Sequence, residues 1–360
     1  MAQGYYQTAA TPKLYVSYPL WLYASGGLEE VTQDFITDPE LVEDWNNRAI
    51  KMLTLNPSSR VVFYGQGGEE QRSVNIYYRI LPIEDTETDV FESKIWNFDY
   101  FAILGHDFNT QNCSFKVNAA NQEGDTEQLN ATPIVNYTTD SVPEFDGWSL
   151  VNIDKPSDGT ARMLGLEILK SSNNIDVSLG SVMFGKSFEF PINCSLNTTT
   201  SFDYGIKQKQ TVGGKTISSA NWTKTASWLG NEPFGLGPAS KTTEITRRSG
   251  RRTWTMSFDS LDPKYVMNQN MMTNSNNWTD TDNYTADDSE DSLYNINDRL
   301  DFFTTFISKT FANHLPMMLQ LDKNSTNPDN FAIVRLNKGY QITQKSPQLY
   351  NIKVSFTEQI

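Results

Sequence analysis

Gly180-Ser181-Val182-Met183-Phe184-Gly185-Lys186-Ser187 has the spacing of a phosphate-binding loop. Such a loop works when a strand feeds it and a helix leaves it, so that backbone N–H groups and the helix dipole meet the anion. Here Phe188-Glu189-Phe190-Pro191 follows, an extended pattern that stops at proline, and Val182-Met183-Phe184 are bulky core types. The motif is read as a coincidence: a strand closing one sandwich and leading into the next domain. A second stretch, Asp280-Thr281-Asp282-Asn283-Tyr284-Thr285 running on to Asp291, invites a calcium loop. An EF-hand needs Gly at its sixth position and Glu at its twelfth. Thr285 and Asp291 stand there instead, so the stretch is read as a solvated acidic loop.

Catalytic groups are sparse. The two histidines, His106 and His314, sit in no nucleophile motif and are too few for a His-rich metal site. Carboxylates for glycoside hydrolysis are plentiful, but no one pair stands out. No catalytic residue, metal or cofactor is assigned, and no enzyme is expected. Arg247, Arg248, Arg251 and Arg252 form a basic cluster in an acidic chain. Their expected use is contact with an acidic surface, on a neighbouring subunit or the same chain, rather than with nucleic acid.

The formal charge of −14 on 360 residues excludes the basic footprint of a nucleic-acid binder. With 20 Phe, 16 Tyr and 8 Trp, the chain is too aromatic for disorder and favours strands. Cys113 and Cys194 belong to no CxxC motif; buried free thiols are expected, with one long-range disulfide as the alternative. No signal peptide is read at the N-terminus and no membrane-spanning run anywhere. Asn130, Asn136, Asn221, Asn277, Asn283 and Asn324 each open an Asn-x-Ser/Thr triplet, read as chance placement in exposed loops.

The elements that must position these residues read as strands. Phe98 to Phe108 is a nearly continuous apolar run, which suits a strand buried on both faces. Gly105 marks a bend, and Cys113 to Val117 returns with alternating character. Lys13 to Ala24 reads as an aromatic strand interrupted at Pro19, with Asp38-Pro39-Glu40 opening a short helix and Ile50 to Leu55 as a strand. Further strands are expected at residues 60–64, 73–83, 148–153, 161–172 and 175–185, and residues 119–142 as a long polar loop. Val212-Gly213-Gly214 and Ser249-Gly250 mark two hairpins. In the second, Trp254, Met256 and Phe258 share one face of the return strand. Residues 268–291 read as an insertion, and residues 292–311 as one amphipathic helix carrying Leu293, Ile296, Leu300, Phe303 and Ile307. Strands at residues 315–321, 331–336 and 350–356 close the chain.

Leu104-Gly105-His106-Asp107-Phe108 resembles the strand-turn of galactose-binding-like sandwich domains in tailed-phage virion proteins, with Asp107 where Asn is usual. Residues 175–185 are similar to the strand that closes such domains. Arg251 to Phe258, the Leu300 to Phe311 helix, His314-Leu315-Pro316 and the last strand resemble the C-terminal part of distal-tail or baseplate proteins. The implied fold is mainly β: a galactose-binding-like jelly-roll sandwich over residues 31–185, after an arm and first strand at residues 1–30. A tail-type β domain over residues 186–360 carries the insertion and the helix. The implied function is a structural virion protein of the tail, made in the host cytoplasm and forming a homo-oligomeric ring. Its partners are its own copies and other tail proteins, with neither nucleic acid nor membrane insertion. The alternative is a carbohydrate-binding module for a host-surface glycan, with Trp148, Trp222 and Trp278 as aromatics near loops that fit a core equally well. A polysaccharide hydrolase ranks third.

Overall fold

A computed structural model describes residues 10–25, 28–33, 50–56, 59–63, 73–80, 98–120, 126–138, 141–154, 163–172, 175–196, 198–221, 250–266, 301–337 and 340–359. The chain is mainly β, and among the described residues every strand pair is antiparallel. In chain order the elements are β1 (Lys13–Tyr15), α1 (Tyr18–Ser25), β2 (Leu28–Gln33), β3 (Val61–Phe63), β4 (Ser73–Ile80), β5 (Tyr100–His106) and β6 (Ser114–Ala120). Then come β7 (Thr126–Gln128), β8 (Ala131–Val135), β9 (Gly147–Ile153), β10 (Met163–Leu169), β11 (Val177–Leu179), β12 (Ser181–Gly185) and β13 (Ser187–Glu189). The last set is β14 (Thr199–Asp203), β15 (Ile206–Gln210), β16 (Thr216–Ala220), β17 (Arg251–Leu261), α2 (Pro263–Val266), a π-helix (Phe303–Ser308), β18 (Met317–Gln320), β19 (Phe331–Leu336), β20 (Gln341–Ser346) and β21 (Leu349–Glu358).

The main sheets stack as layers, and side-chain alternation shows how. A five-stranded sheet has the order β2-β4-β10-β6-β7, a four-stranded sheet β12-β5-β9-β8, and an eight-stranded sheet β13-β1-β18-β19-β21-β17-β14 with β20 on β21. Phe101 and Ile103 of β5, with Val151 of β9 and Phe184 of β12, face Phe115, Val117, Leu164 and Leu166 of the five-stranded sheet. Their alternate neighbours Tyr100, Ala102, Leu104, Trp148 and Met183 face the other way, against Tyr15, Met318, Phe331 and Ile333. Residues next to those, Leu14, Met317, Leu319, Ala332 and Val334, join Trp254, Met256, Phe258, Phe302 and Phe306 in a third core. The four-stranded sheet is therefore covered on both faces, which is why β5 carries no polar alternation. The expected β17 pattern holds: Trp254, Met256 and Phe258 are buried while Thr253, Thr255 and Ser257 are half-buried.

β1, from the N-terminal segment, pairs β13 on one side and β18 on the other. It thereby enters the sheet built mostly from residues beyond 186. α1 follows, and above it the buried Lys309 donates to the Tyr18 hydroxyl at 2.6 Å and stands 4.2 Å from that ring.

Several expectations are corrected. Gly105 does not end β5: at φ 73° it is the extra residue of a bulge, since Leu104 pairs Trp148 and His106 pairs Gly147. The strands before and after that bend lie in different sheets, so the turn crosses the sandwich. Of the strand expected over Lys13 to Ala24 only Lys13–Tyr15 is extended; Tyr18–Ser25 is helix α1, and Pro19 sits in its first turn, where the missing N–H is no loss. Ile50 to Leu55 is a helical turn, with Leu53 N–H donating to Ile50 C=O at 3.1 Å. The supposed loop at residues 119–142 contains β7 and β8. Of the helix at residues 292–311, the described part winds as a π-helix and stops where Phe311 and Ala312 take φ of 48° and 61°. Residues 34–49, 241–249 and 267–300, which hold the expected short helix, the outgoing strand of the second hairpin and the insertion, lie outside the described residues.

Candidate functional site

Folding brings one histidine to a serine. His106 at the end of β5 and Ser149 on the neighbouring β9 place Nε2 and Oγ 2.9 Å apart. Three hydrogen bonds set the polarity. Phe108 N–H donates to His106 Nδ1 at 3.4 Å, so Nε2 carries the proton and donates to Ser149 Oγ. The Ser149 hydroxyl in turn donates to Asn136 C=O at 2.8 Å. A nucleophilic serine needs the reverse, its proton passing to an unprotonated ring nitrogen. Both side chains are also buried, with Phe108 stacked on the imidazole at 4.4 Å. The pair holds the bulged end of β5 to β9.

Burial pushes the His106 imidazole down to about 3, opposed by the Asp146 carboxylate. The unfolded chain takes up a proton below its ordinary value of 6.5 that the folded chain refuses. Stability is thus intact above that pH and falls through the window down to about 3, by up to about 1.4 kcal/mol per pH unit. Between pH 6 and pH 4, the urea midpoint of the wild type is expected to fall more steeply than that of His106→Asn. The difference in slope should correspond to about one proton; parallel lines would contradict it.

The phosphate-loop spacing is occupied by β12 and β13 with only Lys186 between them, and no helix follows. Gly185 has a structural reason to be glycine. A Cβ there would stand 2.5 Å from Tyr18 Cδ1 and 2.6 Å from Val16 C=O, where the chain crosses from one sheet to the next. Two carboxylates clamp this segment. Asp107 accepts from Ser178 N–H at 2.9 Å and Ser178 Oγ–H at 2.6 Å. Asp99, at the other end of β5, accepts from both Ser187 N–H and Ser187 Oγ–H at 2.7 Å. The Asp107 carboxylate, just after β5, therefore holds Ser178 of β11 rather than its own bend. Asp107→Asn keeps only one acceptor oxygen, and urea unfolding is expected to show a loss of about 1 kcal/mol. An unchanged midpoint would mean the clamp adds nothing.

The arginine cluster is divided. Arg247 and Arg248 lie outside the described residues. Arg251 is half-buried opposite Asp203, the register partner on β14. Burial lowers its pKa, while Asp203 and then Glu358 oppose that. Arg252 is 4% exposed and commits its guanidinium to Glu358 of its own chain. Cys113 and Cys194 are free thiols, the first buried and the second half-buried. Burial raises the Cys113 thiol to about 11, which keeps it protonated at neutral pH. Trp148 is buried between sheets and unavailable to a sugar, while Trp222, Trp278 and the acidic stretch at residues 280–291 lie outside the described residues. The Asn136 amide is not a free glycan acceptor: it donates to Phe145 and Trp148 C=O, both at 2.8 Å. Among the described residues no group of three or more His, Cys, Asp or Glu side chains gathers as a metal site, and no helix is long and apolar enough to cross a membrane.

The surface that stands out is β14 with the β15–β16 hairpin. Among the described residues β14 is an edge of the eight-stranded sheet, and the hairpin pairs only with itself. Every residue of the three strands is exposed, among them Phe202, Ile206 and Ile217, with Val212 fully exposed at the tip. Thr211 N–H donates to Lys215 C=O at 2.8 Å to close the turn, and Gly214 supplies the φ of 79° it requires. The sequence marked this turn but not its isolation from the body. No protein-family model, curated protein or solved structure matches the chain.

Proposed function

We propose that this protein is a structural component of a tailed-phage virion, in the tail or baseplate, assembling with copies of itself into a ring. One observation carries the assembly reading: every residue of β14, β15 and β16 is exposed, with neither face covered among the described residues. A two-stranded ribbon with no packed face is marginal in water, and an exposed sheet edge is a template for pairing with another chain. Assembly covers both. The tail assignment rests on the resemblance of residues 100–117 and 251–258, on a body built of β layers. The partners are sister copies and other tail proteins, through interfaces of the obligate kind, commonly above about 2,000 Å².

The test is mass spectrometry of purified particles of the phage that encodes this chain. Several copies per particle are expected. Particles that are complete and infectious without the chain would contradict the proposal.

A further inference from the structure

The hairpin has two chemically different faces. In the β15–β16 register Ile206 pairs Ala220, Lys207 pairs Ser219, Gln208 pairs Ser218, Lys209 pairs Ile217 and Gln210 pairs Thr216. Side chains alternate across the ribbon, so Lys207, Lys209 and Lys215 share one face with Ile217. The opposite face carries Ile206, Gln208, Gln210, Thr216 and Ser218, without a charge. No Asp or Glu lies between residues 204 and 221. Subtracting these three lysines from the total of −14 leaves −17 for the rest of the chain. None of the three ammonium groups makes an ion pair among the described residues.

We infer that the Lys207–Lys209–Lys215 face of this hairpin is the contact by which one copy grips an acidic surface of the next. The inference rests on the assembly reading above and specifies its surface. Charge complementarity selects the partner: a basic arm on a strongly acidic body meets its complement in any second copy. Lysines placed only to protect an exposed edge would serve on either face; here they are confined to one, around an exposed Ile217.

The experiment compares wild type with Lys207→Glu/Lys209→Glu/Lys215→Glu by light scattering across protein concentration, at 0.1 and 0.5 M salt. All three side chains are exposed, so the variant should fold with the wild-type circular dichroism spectrum, whatever it loses of the stability that association adds. The wild type is expected to self-associate, more weakly at high salt, and the variant at least 100-fold more weakly. Carbodiimide coupling of mixed light and nitrogen-15-labelled copies should join these lysines to carboxylates of the other copy. Wild type that assembles while the variant assembles equally well would overturn the lysine face and leave the assembly reading standing. Wild type that never assembles would remove both. A variant that assembles normally but loses wild-type binding to duplex DNA would give the face to nucleic acid instead.

Discussion

Glu358→Ala is expected to destabilise the fold by roughly 3–5 kcal/mol, the cost of leaving one member of a buried ion pair uncompensated. Glu358 is fully buried and Arg252 is 4% exposed. The carboxylate receives Arg252 Nε–H at 3.0 and 3.2 Å, Nη2–H at 2.6 Å and the Arg252 backbone N–H at 3.1 Å. Trp254 lies under the guanidinium at 4.7 Å, so water cannot replace the lost oxygens from that side. Position amplifies the effect. Arg252 is near the start of β17, and Glu358 ends β21 while pairing Val334 of β19, so the pair ties three strands of the large sheet. The double variant Arg252→Met/Glu358→Leu separates charge from packing. Apolar replacement of a buried pair is often neutral or better, so it should recover most of the loss. Denaturant titrations at one fixed protomer concentration measure all three. A single-variant cost below about 1 kcal/mol, the range of an exposed pair, would contradict the buried geometry.

Trp148→Ala is expected to cost about as much, roughly 3–5 kcal/mol. The indole leaves β9 on the face away from the five-stranded sheet and meets Phe331 of β19 edge-on, ring centroids 5.0 Å apart. Among the described residues it is the largest wholly buried side chain, in the core joining the four- and eight-stranded sheets. Its truncation leaves a void walled by two stiff sheets that cannot close on it. Its Nε1–H has no acceptor among the described residues, so Trp148→Phe gives up packing but no hydrogen bond seen there, and should cost less than about 1.5 kcal/mol. Urea unfolding of the two variants checks the ordering; equal costs would mean the ring does not fill the interface.

What the sequence made legible was burial on a strand, one strand at a time. Trp254, Met256 and Phe258 against Thr253, Thr255 and Ser257 fix the faces of β17, because one face meets a core and the other does not. Tyr100 to Leu104 reads as doubly buried for the same reason. The second layer over it is supplied by Tyr15, Met318 and Ile333, remote in the chain, and no local pattern names them. The same distance hid the His106–Ser149 and Arg252–Glu358 pairs, 43 and 106 positions apart. β7 and β8 escaped because the first is a short polar strand and the second carries Pro133. β14 escaped because neither of its faces is buried, so it has no hydrophobic period to find. The lysine face had half a signal: Lys207 and Lys209 alternate on one strand, but Lys215 joins them only through the register that pairs Lys209 with Ile217, which the spacing does not settle.

The measurement closest to the central claim is the molar mass of the purified chain over a hundredfold range of concentration. The account predicts a discrete, concentration-stable multiple of the 40.8 kDa chain mass, weakening as salt rises. A mass that stays at 40.8 kDa throughout would contradict it, because uncovered strands would then persist without any partner.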